Sequence, residues 1–215
     1  MSRSHRPETV WVLGDQLNRA LVPLADADPA HTRVLLVESA AKLASRPWHV
    51  QRAHLVIAAV RRFAAELAAE GFEVDHRQAS SLAEGLAAHR AEHRPQRVRA
   101  MEPASWDGLA LLRRLDVEVV RSDQFLCHHE EFAAWAGDRR VKMEDFYRWQ
   151  RRRLGYLMDG DEPAGGRWNF DDQNREPPPT DGRAWPEVLR TALDDHDRQV
   201  LADLPPTCWG APPDG

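Results

Sequence analysis

Residues 9–17 read Thr-Val-Trp-Val-Leu-Gly-Asp-Gln-Leu. Residues 10–13 form a short apolar run, the mark of a strand buried on both faces. Gly14 stops the run, and Asp15 and Gln16 follow just past its end. In an open α/β sheet, ligands bind in the crevice outside the carboxyl ends of the strands, so this corner is the first candidate for a site. Gly and Asp are also ordinary turn residues, and on this stretch alone a plain turn stands beside the site reading.

Working outward, Leu17, Leu21 and Leu24 lie at near-helical spacing in a weakly patterned segment. Residues 33–38 (RVLLVE) are a second buried strand that ends on a carboxylate. After a break at 45–48, residues 49–71 are expected to form a long helix. Its apolar stripe would be Leu55, Val56, Ala59, Val60, Phe63 and Leu67, with Gly71 as the stop after its last turn. Residues 72–77 alternate as a third strand. Ser80 and Ser81 can cap a helix that runs to His93, ahead of Pro95. Residues 97–102 are a fourth strand ending on Glu102, with Pro103 after it. Ser105 starts a helix through Leu109, Leu112 and Leu115, and 116–120 is a fifth strand. Strand alternating with helix predicts βαβ units, hence an α/β fold: a five-stranded parallel sheet with right-handed crossovers and flanking helices.

Composition narrows the class. With 215 residues, 42% hydrophobic and 29% charged, the chain can build a core and keep a solvated surface. No apolar run approaches the ~20 residues that span a bilayer, and MSRSHRPETV holds no apolar signal region. The expectation is a cytoplasmic chain with no membrane partner. The cysteines are Cys127 and Cys208 alone, which excludes a disulfide scaffold and a four-cysteine metal site. A net charge of −5 argues against general coating of nucleic acid but allows a local basic patch. GxGxxG and Walker patterns are absent. Asp15, Glu38 and Glu102 all sit at expected strand C-termini and so share one rim. Carboxylates there suit a ligand with hydroxyls, amides or ring N–H groups and repel a bare phosphate. Acidic residues after strands also cap helices, and both readings stand.

The character changes after residue 120. Residues 125–135 (FLCHHEEFAAW) are expected to be helical over their second half. Cys127, His128 and His129 invite a metal, but neighbours on a helix point about 100° apart and do not chelate together, so no metal site is expected. Residues 141–158 read as a second long helix. Met143, Phe146, Tyr147, Gln150, Leu154, Leu157 and Met158 line one broad face, and Arg148, Arg151, Arg152 and Arg153 crowd the remainder. With Arg139, Arg140 and Lys142 the segment is strongly cationic, and arginine interleaved with Tyr147 and Trp149 suits phosphate. The alternative is a solvated helix whose arginines pair with carboxylates of this chain. Residues 163–179 form a Gly- and Pro-rich loop in which Trp168 and Phe170 are expected to tuck against something. Residues 185–204 are a weak helix, and the closing LPPTCWGAPPDG is linker-like.

Read together, these segments resemble the bacterial photolyase-related family, the iron–sulfur cryptochromes and photolyases of the (6-4) type. The resemblance lies in LGDQL at 13–17, AVRRFA at 59–64, Met101-Glu102-Pro103 with Trp106, Phe125-Leu126-Cys127, MEDFYR at 143–148, and GGRWNFD at 165–171 with Asn174-Arg175. The GGRWNFD block is the most specific. The resemblance implies a Rossmann-like domain of the photolyase N-terminal type over 1–137, holding a light-harvesting chromophore, typically 6,7-dimethyl-8-ribityllumazine. A helical segment and interdomain connector would follow over 138–215. It further implies a C-terminal helical domain, missing here, that binds FAD and an iron–sulfur cluster and repairs a DNA photoproduct by light-driven electron transfer. That domain is the implied partner, with DNA reached through the full-length protein.

By motif match, Gly14, Asp15, Gln16, Glu38, Glu102 and Pro103 would surround the antenna pocket, and Lys42, Trp48 and His49 would close it. Lys42 stands where the family often has an acidic residue, and Trp48-His49 where a histidine pair often begins the helix. A tryptophan there can stack on the chromophore or fill its space. Arg148, Arg151 and Arg152 are the candidate DNA or partner patch. The chain would then be a non-catalytic antenna domain. The alternative is a free-standing α/β small-molecule- or nucleotide-binding protein.

Overall fold

The computed structural model describes residues 7–171, 177–184, 186–187 and 189–213. Asn174-Arg175 of the resemblance and Trp185, the expected start of the last helix, lie outside the described residues. Strands β1 (Glu8–Trp11), β2 (Thr32–Ser39), β3 (Glu73–Ala79), β4 (Val98–Met101) and β5 (Glu118–Val120) pair in parallel in the order β3-β2-β1-β4-β5. Between them run α1 (Ala40–Ala44), α2 (Val50–Ala69), α3 (Leu82–His93) and α4 (Trp106–Arg114). The later helices are α5 (His129–Ala136), α6 (Met143–Leu154) and α7 (Asp195–Asp203). Two compact units result. One holds 1–124 together with 190–215, and the other holds 125–189. The division therefore falls at 124 rather than at the expected 137, and the last stretch of chain belongs to the sheet unit.

The sheet buries two apolar faces because its central strands are apolar in both directions. Val10, Val12, Val34 and Leu36 pack with Val60, Phe63, Ala64 and Leu67 of α2. Trp11, Leu35 and Ala100 point the other way, against Leu86 of α3 and Leu112 of α4. At about 1.5–3 kcal/mol for each large apolar side chain removed from water, these two layers supply most of the driving force.

Helix α2 buries Val60, Phe63 and Leu67 of the expected stripe but leaves Leu55 and Val56 exposed. Its buried side chains are Ala53, Ile57, Ala58, Val60, Phe63, Ala64 and Leu67, while Leu55 is 68% exposed. The small residue Ala64 packs with Val10, Val34 and Leu36 of the sheet. His49 caps the start of α2 and Gly71, at φ +94°, follows its end. Ser81 and Ser105 cap α3 and α4 by accepting from the amides of Glu84 and Gly108. The near-helical leucines at 17–24 form turns instead of a helix, with Leu24 buried under the α2 face. The short helix α1 follows β2 directly, ahead of the expected break.

The C-terminal segment departs most from expectation. Among the described residues of 185–204 only Asp195–Asp203 are helical, and they pack on α2: Val200 is fully buried beside Ile57 and Ala58. Arg62 of α2 pairs with Asp194 at 2.9 Å and Asp197 at 3.0 Å. The end that reads as a linker continues this docking. The Trp209 amide donates to the Trp48 carbonyl at 2.9 Å, and the Val50 amide donates back to the Trp209 carbonyl at 2.8 Å.

A polar network lies under α3. Thr9 and His89 are both fully buried and share a 2.8 Å hydrogen bond, and the other ring nitrogen of His89 lies 2.6 Å from Asp75. Burial pushes the His89 pKa below 6.5 against the pull of Asp75. The unfolded chain therefore takes up a proton that the folded one refuses, and stability falls as pH drops below about 6.5. The melting temperature of the wild type should decline from pH 7 towards pH 5, and His89→Gln should flatten that decline; an unchanged slope would remove His89 as its source.

Candidate functional site

The strand order reverses at β1, with β2 and β3 on one side and β4 and β5 on the other. A crevice opens at the carboxyl ends of strands flanking such a reversal. Here it is a cavity of about 410 Å³, walled by Trp11 to Asp15 at and after the end of β1, Glu38 and Ser39 at the end of β2 with Lys42 beyond, and Pro103, Ser105 and Gly108 after β4. Val56, Ile57 and Val60 of α2 close one side. Of the expected pocket residues, Gly14, Asp15, Glu38, Lys42, Trp48 and Pro103 come together in this wall. Trp48 stands at its edge and leaves the volume open. Its indole N–H donates to the Lys42 carbonyl at 3.2 Å, and the guanidinium groups of Arg46 and Arg52 lie 5.5 and 4.9 Å from its ring centre.

Three expected residues lie elsewhere. Gln16 is buried, and its side-chain amide donates to the carbonyls of Met101 and Glu102 at 3.2 and 3.4 Å, tying the β1 loop to the end of β4. His49 is occupied as the cap of α2, with its ring edge-on to Trp209 at 4.7 Å. Glu102 sits behind Pro103, its amide bonded to the Val120 carbonyl at 2.7 Å, and is not part of the wall.

Glu38 lines the cavity, but its charge is already matched. Arg61 grips both carboxylate oxygens, at 2.7 and 3.0 Å, and His76 adds a 2.8 Å contact. Arg61 also reaches Asp203 of α7 at 2.6 Å. Burial alone would raise the Glu38 pKa; the hydrogen bonds from His76 and Arg61 outweigh it and lower it to about 2. Sequence reading missed Arg61 and His76 because each is one ordinary polar residue on an amphipathic element, and only the tertiary pairing gives it a role.

The model of deoxyribodipyrimidine photo-lyase-related proteins matches residues 10–208. The chain belongs to this photolyase-related family. It is similar to a (6-4) photolyase of Agrobacterium fabrum, 34% identical over 196 residues, which covers 85% of this chain and 38% of that relative. The chain thus spans well under half the length of this curated relative.

Arg148, Arg151 and Arg152 of this photolyase-related chain have intramolecular partners. Arg151 is 7% exposed and donates to Tyr147 Oη, to the Trp168 carbonyl at 3.0 Å, and to the carbonyls of Tyr156 and Leu157. Arg148 pairs with Glu144 at 2.9 Å. Arg152 stacks over Trp168, 4.5 Å from the ring centre, and is exposed. Trp168 is brought there by Gly165 and Gly166, consecutive residues at φ +74° and +71° that a side chain would strain. The GGRW block is therefore a turn that lays an indole under three guanidiniums. Phe132 and Trp135 of α5 and Phe146 and Trp149 of α6 pack ring on ring. His128 precedes α5 instead of lying in it, its ring 4.0 Å from that of His129.

One further cluster has metal-ligand chemistry. Donor atoms of Asp75, His89 and His93 lie within 4.8 Å of one another. Arg77 already holds its guanidinium 2.7 Å from the same Asp75 oxygen. That fixed cation occupies the electrostatic place of an ion, so we read the cluster as structural. Among the described residues no helix is long and apolar enough to cross a membrane.

The Glu38 pair contributes fully above about pH 4.5 and is lost as pH falls towards about 2. Glu38→Gln should cost about 3 kcal/mol in urea unfolding at pH 7, and the gap to wild type should close on acidification. Arg151→Lys should lose about 2 kcal/mol, because a point ammonium cannot serve buried carbonyls on several sides at once; a neutral result in the same measurement would put Arg151 back on the surface.

Proposed function

We propose that the sheet unit is the ligand-holding part of a photolyase- or cryptochrome-like protein, binding an aromatic light absorber and making no bond itself. The observation that carries this reading is the open cavity at the strand reversal, apolar on its α2 side and edged by Trp48. Its volume falls within the ~300–1,000 Å³ usual for small-molecule sites. Trp11 adds an indole donor: it is 1% exposed, lines the cavity, and its Nε1 has no hydrogen-bond partner among the described residues. A ring carbonyl of a guest is the kind of acceptor such a group takes. Ribityllumazine, with carbonyls, ring nitrogens and hydroxyls, is the reference ligand, and Asp15 can accept from its hydroxyls. FAD, an iron–sulfur cluster and DNA contact belong, in this reading, to a partner domain of the kind that completes the longer relative. The assignment of 148–152 to DNA has less support than the cavity, since Arg148 and Arg151 are held within their own unit.

A Cβ at Gly14 would meet only Val60 Cγ2, at 3.8 Å, so a large side chain can enter the cavity there without backbone strain. Gly14→Trp should abolish binding of ribityllumazine, read by its absorbance after gel filtration, with the melting temperature unchanged. Equal retention of the chromophore by wild type and G14W would overturn the cavity as its site.

A further inference from the structure

The charge around this cavity is the reverse of what its acidic strand tips suggest. Lys42, Arg46 and Arg52 all line it and are exposed. Against them stand Asp15 and Glu38. Glu38 is neutralised by Arg61, which takes both its oxygens. Asp15 alone remains to offset three cations.

Arg46 and Arg52 flank Trp48 without a carboxylate partner among the described ion pairs, at 5.5 and 4.9 Å from its ring. Arginine beside an indole offers a stacking surface and a phosphate fork in one place. The inner wall, with Val12, Val37, Leu43, Ile57, Val60 and Leu82, is apolar and suits the flat body of a ring.

We propose that the natural ligand of this site is a fused heteroaromatic ring carrying an anionic arm, a phosphate monoester above all, with the ring inside the cavity and the phosphate between Arg46, Arg52 and Lys42 at its mouth. This rests on the cavity being the ligand site and adds the charge of the ligand. It also reverses the expectation that acidic strand tips would repel phosphate: the tip that faces the cavity from β2 has no free charge to repel with.

A matched probe pair separates the two layers. Riboflavin and FMN share one ring and one ribityl chain and differ by the phosphate. Titrated into the purified protein, with flavin fluorescence read against quenching by Trp48, FMN should bind at least 10-fold more tightly than riboflavin and than ribityllumazine. The ratio should shrink as salt rises, since the mouth is exposed. Arg46→Ala with Arg52→Ala should erase the preference for FMN over riboflavin with the circular dichroism spectrum unchanged; a preference that survives the double substitution would overturn the anionic arm. Equal affinity for the three probes would overturn the anionic arm and leave the cavity as the site. Binding of none of them, with G14W indistinguishable from wild type, would overturn both.

Discussion

Everything in the sheet unit depends on β1 being buried between two neighbours that the chain reaches from opposite directions. A parallel strand pair needs a crossover, and crossovers of one hand send the chain outward from its first strand. The chain builds β2 and β3 on one side, then must return past β1 to lay down β4 and β5. A crevice is therefore left at the carboxyl edge beside β1, and Gln16 ties the β1 loop to the end of β4 next to it. The cavity is a consequence of this topology, and the residues at 11–15 line it because they leave the one strand that cannot avoid it.

The second constraint is the disposal of charge beneath α2. Glu38 follows the apolar run 34–37 near the end of β2, so its carboxylate lies nearly buried and must be paired. Arg61 meets it from α2, and the same guanidinium extends to Asp203 of α7. One residue thereby joins the sheet, the covering helix and the last helix. Val200, Asp194 and Asp197 fix α7 on the same surface, and Trp209 adds backbone bonds beside Trp48. A segment with weak helical character of its own is held by what it touches. The electrostatic effect reaches the cavity: with Glu38 matched, the exposed lysine and arginines around Trp48 set the sign of the field there.

In the second unit the same logic turns one arginine, Arg151, inward. Arg151 sits among carbonyls from the turn after α6 and from the GGRW turn, and Trp168 lies under its neighbours. Guanidinium supplies several donors in one plane, so a single arginine can satisfy a loop that has no strand or helix to pair with. The specificity of the GGRWNFD block is thereby structural at its core: two glycines allow the reversal, and the tryptophan gives the arginines a face to cover.

The sequence by itself determined the strand and helix alternation, the parallel sheet, the caps at Ser81 and Ser105, the stop at Gly71 and the rim on which Gly14, Asp15, Glu38 and Pro103 meet. These follow from local chemistry: apolar runs, hydroxyls ahead of helices, a residue free to take positive φ. The sequence also carried the family, because LGDQL and GGRWNFD keep their order along the chain. The tertiary structure alone decided that Leu55 and Val56 face outward on α2, since Ala64 looks unremarkable until packing on the sheet buries it. It decided that Gln16 and His49 serve the backbone, that Glu38 is spoken for, and that α7 and Trp209 return to the first unit. Each is a pairing between residues far apart in the chain. Such pairings leave no periodic trace, because a single arginine or histidine reads the same whether it faces water or a buried carboxylate.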